Sequence, residues 1–144
     1  LKLTLVDSVA KKARFLEEVV GELGLSDVTV IAERAEVVGQ DDSYREQFDW
    51  AVARAVAELR ILVELLLPLC RVGGHALAQK GDSAAAEAQT AATAITALGG
   101  GEPQITSVRL PEIDQSHYLI VVDKVQTTPS RYPRRSGIPT KRPL

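Results

Sequence analysis

The feature that most constrains the fold of this chain is a regular alternation between short apolar strands and longer segments with helical spacing. Strand patterns occur at residues 1–7, 27–33, 48–55 and 72–80, and helical or turn-rich segments separate them. Parallel neighbours in a sheet need a long crossover connection, which is usually a helix. The alternation therefore predicts an α/β fold with a mostly parallel sheet and helices on both faces.

The end of the chain departs from this alternation. Two further strand patterns, at residues 104–111 and 117–125, have no helix between them, and the turn at 114–116 should join them as a hairpin-like pair. One strand near the end is therefore predicted to run antiparallel, an order that resembles the Rossmann-like methyltransferases. We expect one domain at residues 1–126, with the basic, Pro-rich tail at 127–144 packed on or beside it.

Several patterns predict where side chains lie. Ser8 should cap the first helix, and Gly24 should lie just past its end. The predicted buried stripe of that helix consists of Val9, Ala13, Leu16, Val20 and Leu23. The strand at 48–55 is apolar enough to be buried on both faces. The Ala-rich helix at 82–98 should turn inward Ala88, Ala91, Ile95 and Leu98.

Charge is distributed unevenly along the chain. Residues 1–126 contain 12 Lys and Arg against 19 Asp and Glu, whereas residues 127–144 contain five basic residues and no acidic one. This asymmetry suggests a polyanionic partner for the tail, although a solvated tail would have the same composition.

The cellular compartment is predicted from three features: the cysteine content, the length of the apolar runs and the start of the sequence. Cys70 is the single cysteine and lies in an apolar segment, which favours a buried, unreactive thiol in a reducing environment. No apolar run approaches the length of a membrane span, and no secretory signal opens the sequence. We expect a cytoplasmic protein without membrane contact.

Polar residues follow four of the predicted strands, and the ligand of an open α/β sheet binds at that rim. They are Asp7-Ser8, Arg34-Ala35-Glu36, Arg54 and Lys80-Gly81. An acid in the position of Asp7 can accept hydrogen bonds from the ribose hydroxyls of a nucleoside cofactor. A single strand-end Asp is more often a helix cap, but four polar strand ends at one rim are harder to explain in that way. The sequence has no Gly-rich dinucleotide motif and no P-loop.

Five stretches, in order, resemble the bacterial 16S rRNA guanine-N7 methyltransferase family. They are LVDSVAKKARFLEEV, RAEV, FDWAVARAVAELRILVELLLPL, ALAQKG and TTPSRYPRRSGIPTKRPL, and the resemblance runs from residue 1 to residue 144. It implies the Rossmann-like fold of class I S-adenosylmethionine-dependent methyltransferases, lacking its first, central strand in this chain. The family's early segment, with the Gly-rich turn that contacts the cofactor, has no counterpart here.

The resemblance further implies methyl transfer from S-adenosylmethionine to N7 of guanosine 527 in 16S rRNA. Cofactor-binding positions would be Asp7, Ser8, Ala35, Glu36 and Arg54. Arg54 and Lys80 would be the catalytic residues, beside the mouth of the active site. RNA-binding positions would be Lys11, Lys12, Arg14, Arg131, Arg134, Arg135 and Lys141. For Lys11, Lys12 and Arg14, a solvated helix face is the alternative interpretation.

The implied chemistry agrees with the residues. Guanine N7 carries a lone pair and no proton, so its methylation needs positioned reactants and no general base. Arg54 or Lys80 would hold O6 of the guanine, His75 and His117 are interpreted as structural, and no metal site is expected. The expected partner is 16S rRNA in the small ribosomal subunit, and the expected state is a monomer.

Two other functions stay open. One is a class I methyltransferase with a small-molecule substrate, which the basic tail disfavours. The other is a truncated, catalytically inert rRNA-binding remnant, because part of the cofactor site belongs to the segment without a counterpart.

Overall fold

The computed structural model describes residues 1–54, 56–109, 111 and 116–144. In chain order the elements are β1 (Leu3–Val6), α1 (Ala10–Glu22), β2 (Val28–Ile31), α2 (Ala35–Val38), β3 (Phe48–Arg54), α3 (Leu59–Leu66), β4 (Cys70–Lys80), α4 (Ala84–Ala97), β5 (Gln104–Val108), β6 (His117–Asp123) and α5 (Ile138–Lys141). Each predicted strand is present within its predicted range or close to it. The predicted turn at 114–116 lies largely outside the described residues.

The strands form two sheets with a mainly parallel arrangement. β1 pairs with β2 in parallel, and a four-stranded sheet has the order β3-β4-β6-β5. In that sheet β3 and β4 are parallel, whereas β6 runs antiparallel to both of its neighbours. This architecture confirms the α/β fold and the antiparallel strand near the chain's end.

Strand pairing is interrupted between β1 and β3. Among the described residues β1 pairs only with β2, and β3 pairs only with β4. The interruption lies where the predicted fold lacks its central strand. The expectation that β3 is buried on both faces is wrong, because β3 is an edge strand: Trp50 is 49% and Val52 is 64% exposed.

The core lies between the four-stranded sheet and the helices α3 and α4. Leu59, Leu62 and Val63 of α3 are almost fully buried. α4 buries the four residues that its spacing predicts, namely Ala88, Ala91, Ile95 and Leu98. The α3 stretch LRILVELL also buries Glu64, whose charge then requires a partner inside the fold.

α1 differs from its prediction at its start and along its apolar stripe. Ser8 makes no capping bond; instead Oδ1 of Asp7 accepts a hydrogen bond from the Val9 amide at 2.8 Å. Of the predicted stripe only Ala13 is buried, whereas Val9 and Leu23 are exposed because α1 packs against a sheet of only two strands. Gly24 follows the helix with a positive φ of 63°, as predicted.

The tail at residues 127–144 runs over the body of the fold and is bonded to it. Arg45 donates hydrogen bonds to the carbonyl oxygens of Tyr132 and Thr128, at 2.7 and 2.8 Å. Tyr132 is 7% exposed, and Leu144 packs against the core. The described tail is therefore an ordered strip.

Candidate functional site

The end of β1 presents a partly free carboxylate. Asp7 follows β1 directly and is half-buried. Its Oδ1 accepts from the Val9 amide at 2.8 Å, and Oδ2 has no hydrogen-bond partner among the described residues. Ser8, its neighbour, is exposed. The Asp7 carboxylate is thus held by one oxygen and keeps the other available for a ligand's hydroxyl.

The end of β2 leads into the short helix α2, and this helix is joined to the tail. Ala35 is its first residue, and Glu36 is 9% exposed. Oε1 of Glu36 accepts a hydrogen bond from the Gly137 amide at 2.8 Å. The carboxylate of this predicted cofactor residue therefore faces the start of α5.

β3 and β4 end side by side because they are parallel and in register. Arg54, the last residue of β3, pairs with Gln79, and Lys80 follows at the end of β4. Arg54 is exposed, and no hydrogen bond or ion pair engages its guanidinium within the described part of the chain. Of the two predicted catalytic residues, Arg54 is thus accessible to a ligand without displacing a protein partner.

Lys80 is held in place by its surroundings. Its side chain is 11% exposed, its Nζ lies 2.7 Å from Oε2 of Glu87, and it also donates to the carbonyl oxygen of Ala57. Glu87 additionally accepts from the Leu59 amide at 2.8 Å and from the Ser83 hydroxyl at 2.7 Å. An ammonium group has three donors, so Lys80 retains one for a ligand.

The charge of this pair follows from the groups around Glu87. Burial alone would raise the pKa of Glu87, but the hydrogen bonds from Lys80, Ser83 and Leu59 outweigh it and lower that pKa. Glu87 is therefore ionised at neutral pH. It fixes the ammonium group of Lys80 and compensates its charge.

The arginines of the tail divide into two kinds. Arg134 donates to Glu64 through its amide at 2.9 Å, its Nε at 2.8 Å and its Nη2 at 2.6 Å. The Glu64 side chain is fully buried, and its hydrogen bonds raise the pKa of Arg134. Arg131 and Arg135 are exposed, and the Arg131 guanidinium lies 5.0 Å from the centroid of the Tyr132 ring.

A cavity of about 540 Å³ lies between α2 and the tail, and it brings two predicted groups of residues together. Its walls include Glu36, predicted to bind cofactor, and Arg131, Arg134 and Arg135, predicted to bind RNA. Lys141 does not line it. The remaining predicted RNA-binding residues, exposed on α1, are Lys11, Lys12 and Arg14.

Sequence reasoning missed the acidic partners of Lys80 and Arg134. One signal was present for Glu64, because a lone acid within an apolar helix stretch needs a cation to compensate it. No comparable signal marks Glu87, because the Ala-rich sequence of α4 is equally compatible with an exposed acid that needs no partner. Pairs that are 70 residues apart, such as Arg134 with Glu64, are joined only by the tertiary fold.

Three buried or half-buried polar groups lie away from the carboxyl ends of β1, β2, β3 and β4. Lys124 donates to Oγ1 of Thr128 at 2.7 Å and lies 3.1 Å from Oε1 of Glu46, and its burial lowers its pKa. Cys70 is fully buried, as predicted, and burial raises the pKa of its thiol to about 11. Nδ1 of His75 lies 2.8 Å from Oδ1 of Asp123 in mid-sheet.

No helix in the described ranges combines the length and apolarity needed to cross a membrane.

The model of the family described as rRNA small subunit methyltransferase G matches residues 1–117. Two relatives, each called ribosomal RNA small subunit methyltransferase G, align over the whole chain. That of Alkaliphilus metalliredigens is 49% identical and that of Roseiflexus castenholzii 51% identical. The chain spans only 60% and 61% of their respective lengths.

Solved structures resemble the fold at low sequence identity. An rRNA methylase from Streptococcus thermophilus has a TM-score of 0.56 and 19% identity, covering 87% of this chain and 74% of its own. A SAM-dependent O-methyltransferase from Thermotoga maritima has a TM-score of 0.64 and 13% identity, covering 89% of this chain and 51% of its own. At such identities the likeness extends to the fold, which is that of class I methyltransferases.

Proposed function

The chain belongs to the rRNA small subunit methyltransferase G family, and from this premise we propose that it forms part of an enzyme that methylates 16S rRNA. The proposed reaction transfers a methyl group from S-adenosylmethionine to N7 of guanosine 527. The observation that carries the proposal is the set of polar groups at the ends of the parallel strands. Asp7 follows β1, whereas Arg54 and Lys80 end β3 and β4.

The residues after β1 and β2 fit a nucleoside cofactor. Asp7 keeps one carboxylate oxygen for the ribose hydroxyls, with Ser8 beside it. Ala35 and Glu36 start α2 and would flank the adenine. The exposed Arg54 would be the fifth cofactor-binding residue. When bound, S-adenosylmethionine supplies a methyl group that is activated by the positive charge of its sulfonium.

The residues at the ends of β3 and β4 fit the guanine. Its N7 has a lone pair and no proton, so no side chain needs to act as a base. Arg54 and Lys80 would each donate a hydrogen bond to O6 and leave N7 free, because a bidentate contact to O6 and N7 would block the reacting atom. Glu87 and the Ala57 carbonyl hold the Lys80 ammonium group, so this donor is positioned before the substrate arrives.

The basic surfaces fit the phosphates of the RNA. Lys11, Lys12 and Arg14 are exposed on α1, and Arg131, Arg135 and Lys141 are exposed on the tail. Their attraction to phosphates is independent of sequence and depends on salt. Selection of one guanosine would come from the shape of the RNA and from the splaying of its base. We place the enzyme in the cytoplasm, as a monomer that acts on the small ribosomal subunit.

The proposal is tested by replacing Arg54 and Lys80 with alanine in the full-length protein. Each change should reduce the rate of N7 methylation of 16S rRNA about a hundredfold, because a pre-positioned donor to the reacting base is lost. Arg60→Ala, which removes an exposed guanidinium on α3 that is paired with Glu58 at 3.0 Å, is the matched control and should leave the rate unchanged. The measurement is single-turnover methyl incorporation, with thermal melting to check the fold.

The cofactor assignment has a separate readout. Asp7→Asn should weaken binding of S-adenosylmethionine in calorimetry, because its single acceptor oxygen cannot serve the Val9 amide on one side and the ribose hydroxyls on the other, as the two carboxylate oxygens can. Wild-type rates for both Arg54→Ala and Lys80→Ala would refute the guanine assignment. Absence of cofactor binding by the unsubstituted protein would instead favour an rRNA-binding protein without activity.

A further inference from the structure

The cavity between α2 and the tail is lined by Glu36, one of the proposed cofactor-binding residues, and by the proposed RNA-binding residues Arg131 and Arg135. Its volume of about 540 Å³ is within the usual range for ligand pockets. Both of its walls belong to elements that are fixed to the body of the fold. Its polar lining comprises Glu36, Gln40, two serines, and the arginines Arg131, Arg134 and Arg135.

The charges around this cavity are not balanced. Of its three arginines, Arg134 is neutralised by Glu64, which lies behind it. The carboxylate of Glu36, the single acid in the lining, is engaged by the Gly137 amide. Arg131 and Arg135 form no ion pair with any described residue. The cavity therefore presents two guanidinium groups without an ion-pair partner in the described part of the chain, and together with the Glu36 carboxylate they leave it with an excess of positive charge.

The walls of the cavity are held in place by hydrogen bonds and packing. Nε2 of Gln40, in the turn after α2, donates to the carbonyl oxygens of Ser130 and Pro133, at 3.2 and 2.8 Å, and so joins this turn to the tail. The Arg131 guanidinium lies over the ring of Tyr132, which is itself buried. Of the two guanidinium groups, that of Arg131 is therefore positioned before a ligand enters, and only the Arg135 side chain would need to be ordered on binding.

We propose that this cavity binds a phosphate group of the RNA backbone, with Arg131 and Arg135 as its donors. The inference rests on the proposed function, which supplies RNA as the substrate. A guanidinium group matches two phosphate oxygens with two parallel hydrogen bonds, and the hydroxyls of Ser130 and Ser136 add neutral donors. Arg131 and Arg135 then hold the RNA next to the helix that begins at Ala35, which forms the other wall of the cavity.

The test measures the affinity of a labelled 16S rRNA transcript as a function of salt, for the full-length protein and its variants. Arg131→Gln and Arg135→Gln should each weaken binding several-fold and reduce the slope of log K against log salt by about one. Arg142→Gln is the matched control, because it removes the same charge from the same tail at a residue that does not line the cavity. It should change the slope by less than half as much. Cofactor affinity should be unchanged in all three.

A second variant distinguishes the cavity from general surface charge. Val37 is 47% exposed and lines the cavity, so Val37→Trp would fill part of it without altering charge or core packing. We expect it to weaken RNA binding as much as the arginine variants do, and Ser136→Tyr, at another exposed lining residue, should repeat the effect. Equal affinity for the filled variants and the unsubstituted protein would overturn the inference while leaving the proposed function intact.

Competition separates a nucleic-acid site from a site for free anions. Inorganic phosphate should compete with the transcript only weakly, beyond the effect of matched ionic strength, because one phosphate lacks the rest of the RNA contacts. Strong competition by inorganic phosphate alone would point to a small-anion site and would count against the inference. Absence of transcript binding by the unsubstituted protein would refute the proposed function itself.

Discussion

Arg134 and Arg135 are adjacent in the sequence but have opposite environments. The Arg134 guanidinium makes two hydrogen bonds to the fully buried Glu64 carboxylate, whereas Arg135 is exposed and lines the cavity. Glu64 lies in the middle of an apolar helix, so its charge is tolerable only because Arg134 compensates it. Within the basic tail, one arginine thus holds the tail on the body while its neighbour is free for a ligand.

The difference between these two arginines is testable in the absence of RNA. Arg134→Ala should lower the free energy of unfolding by about 3 kcal/mol, because it leaves a buried carboxylate without its cation. Arg135→Ala should change that free energy by less than about 0.5 kcal/mol, as exposed substitutions usually do. Urea denaturation followed by circular dichroism gives both values. Equal stability of the two variants would mean that the Arg134–Glu64 pair does not fix the tail.

At the residue scale the sequence predicted which positions are polar at the strand ends, but it did not predict their partners. Asp7 and Lys80 follow their strands as expected, because a strand's period and its polar end are local properties. The bond between Glu36 and Gly137 joins residues 101 positions apart. Such a contact depends on how the tail crosses α2, which no local pattern encodes.

At the scale of the helices and strands, the turn that follows α4 leaves no room for a side chain at Gly99. Gly99 has a φ of 83°, and a Cβ at this position would lie 2.2 Å from the Gln126 carbonyl oxygen. The Gly99 carbonyl in turn accepts from the amides of Val125 and Gln126, at 2.9 and 3.0 Å. The end of α4 and the start of the tail can therefore lie together only if residue 99 has no side chain.

Gly99→Ala should destabilise the protein by about 3 kcal/mol or more, because backbone strain and a backbone clash act together. Gly24→Ala is the matched control: Gly24 also has a positive φ, 63°, but a Cβ at this position would have no neighbouring atom within 4 Å. That change should cost only about 1 kcal/mol of strain. Thermal unfolding of both variants measures the two losses of stability. Equal losses would show that the backbone around Gly99 shifts to make room for the added Cβ.

Element positions could be predicted well from the sequence, and burial less well. α4 buries the residues its spacing indicates because both α3 and the sheet pack against it. The stripe on α1 and both faces of β3 have the same apolar pattern yet are partly exposed, as Leu23 at 65% and Val52 at 64% illustrate. Apolar spacing predicts which face of a helix or strand can be buried. Whether that face is buried depends on another element that packs against it.

Over the whole molecule, the tail is a cross-link between parts that are distant in sequence. It contacts α2 through Glu36, α3 through Glu64, and the loop before β3 through Arg45. Lys124, just before the tail, is buried among carbonyl oxygens and Glu46. These bonds make the tail a part of the domain's surface, so the proposed phosphate cavity is fixed to the same body as α3 and the loop before β3.

The interrupted pairing between β1 and β3 makes self-association of the 144-residue chain a hazard. Each of these strands has an edge whose amides and carbonyls are unpaired among the described residues, and Trp50 and Val52 of β3 are exposed. Bare, apolar edges recruit strands from other molecules, and a lysine on such a strand discourages this. Light scattering of the 144-residue chain should therefore show aggregates that grow with concentration and that Val52→Lys suppresses. Phe15→Lys removes similar apolar surface from a helix and should not suppress the aggregates. Equal suppression by both variants would mean that exposed apolar surface in general, and not the two strand edges, causes the association.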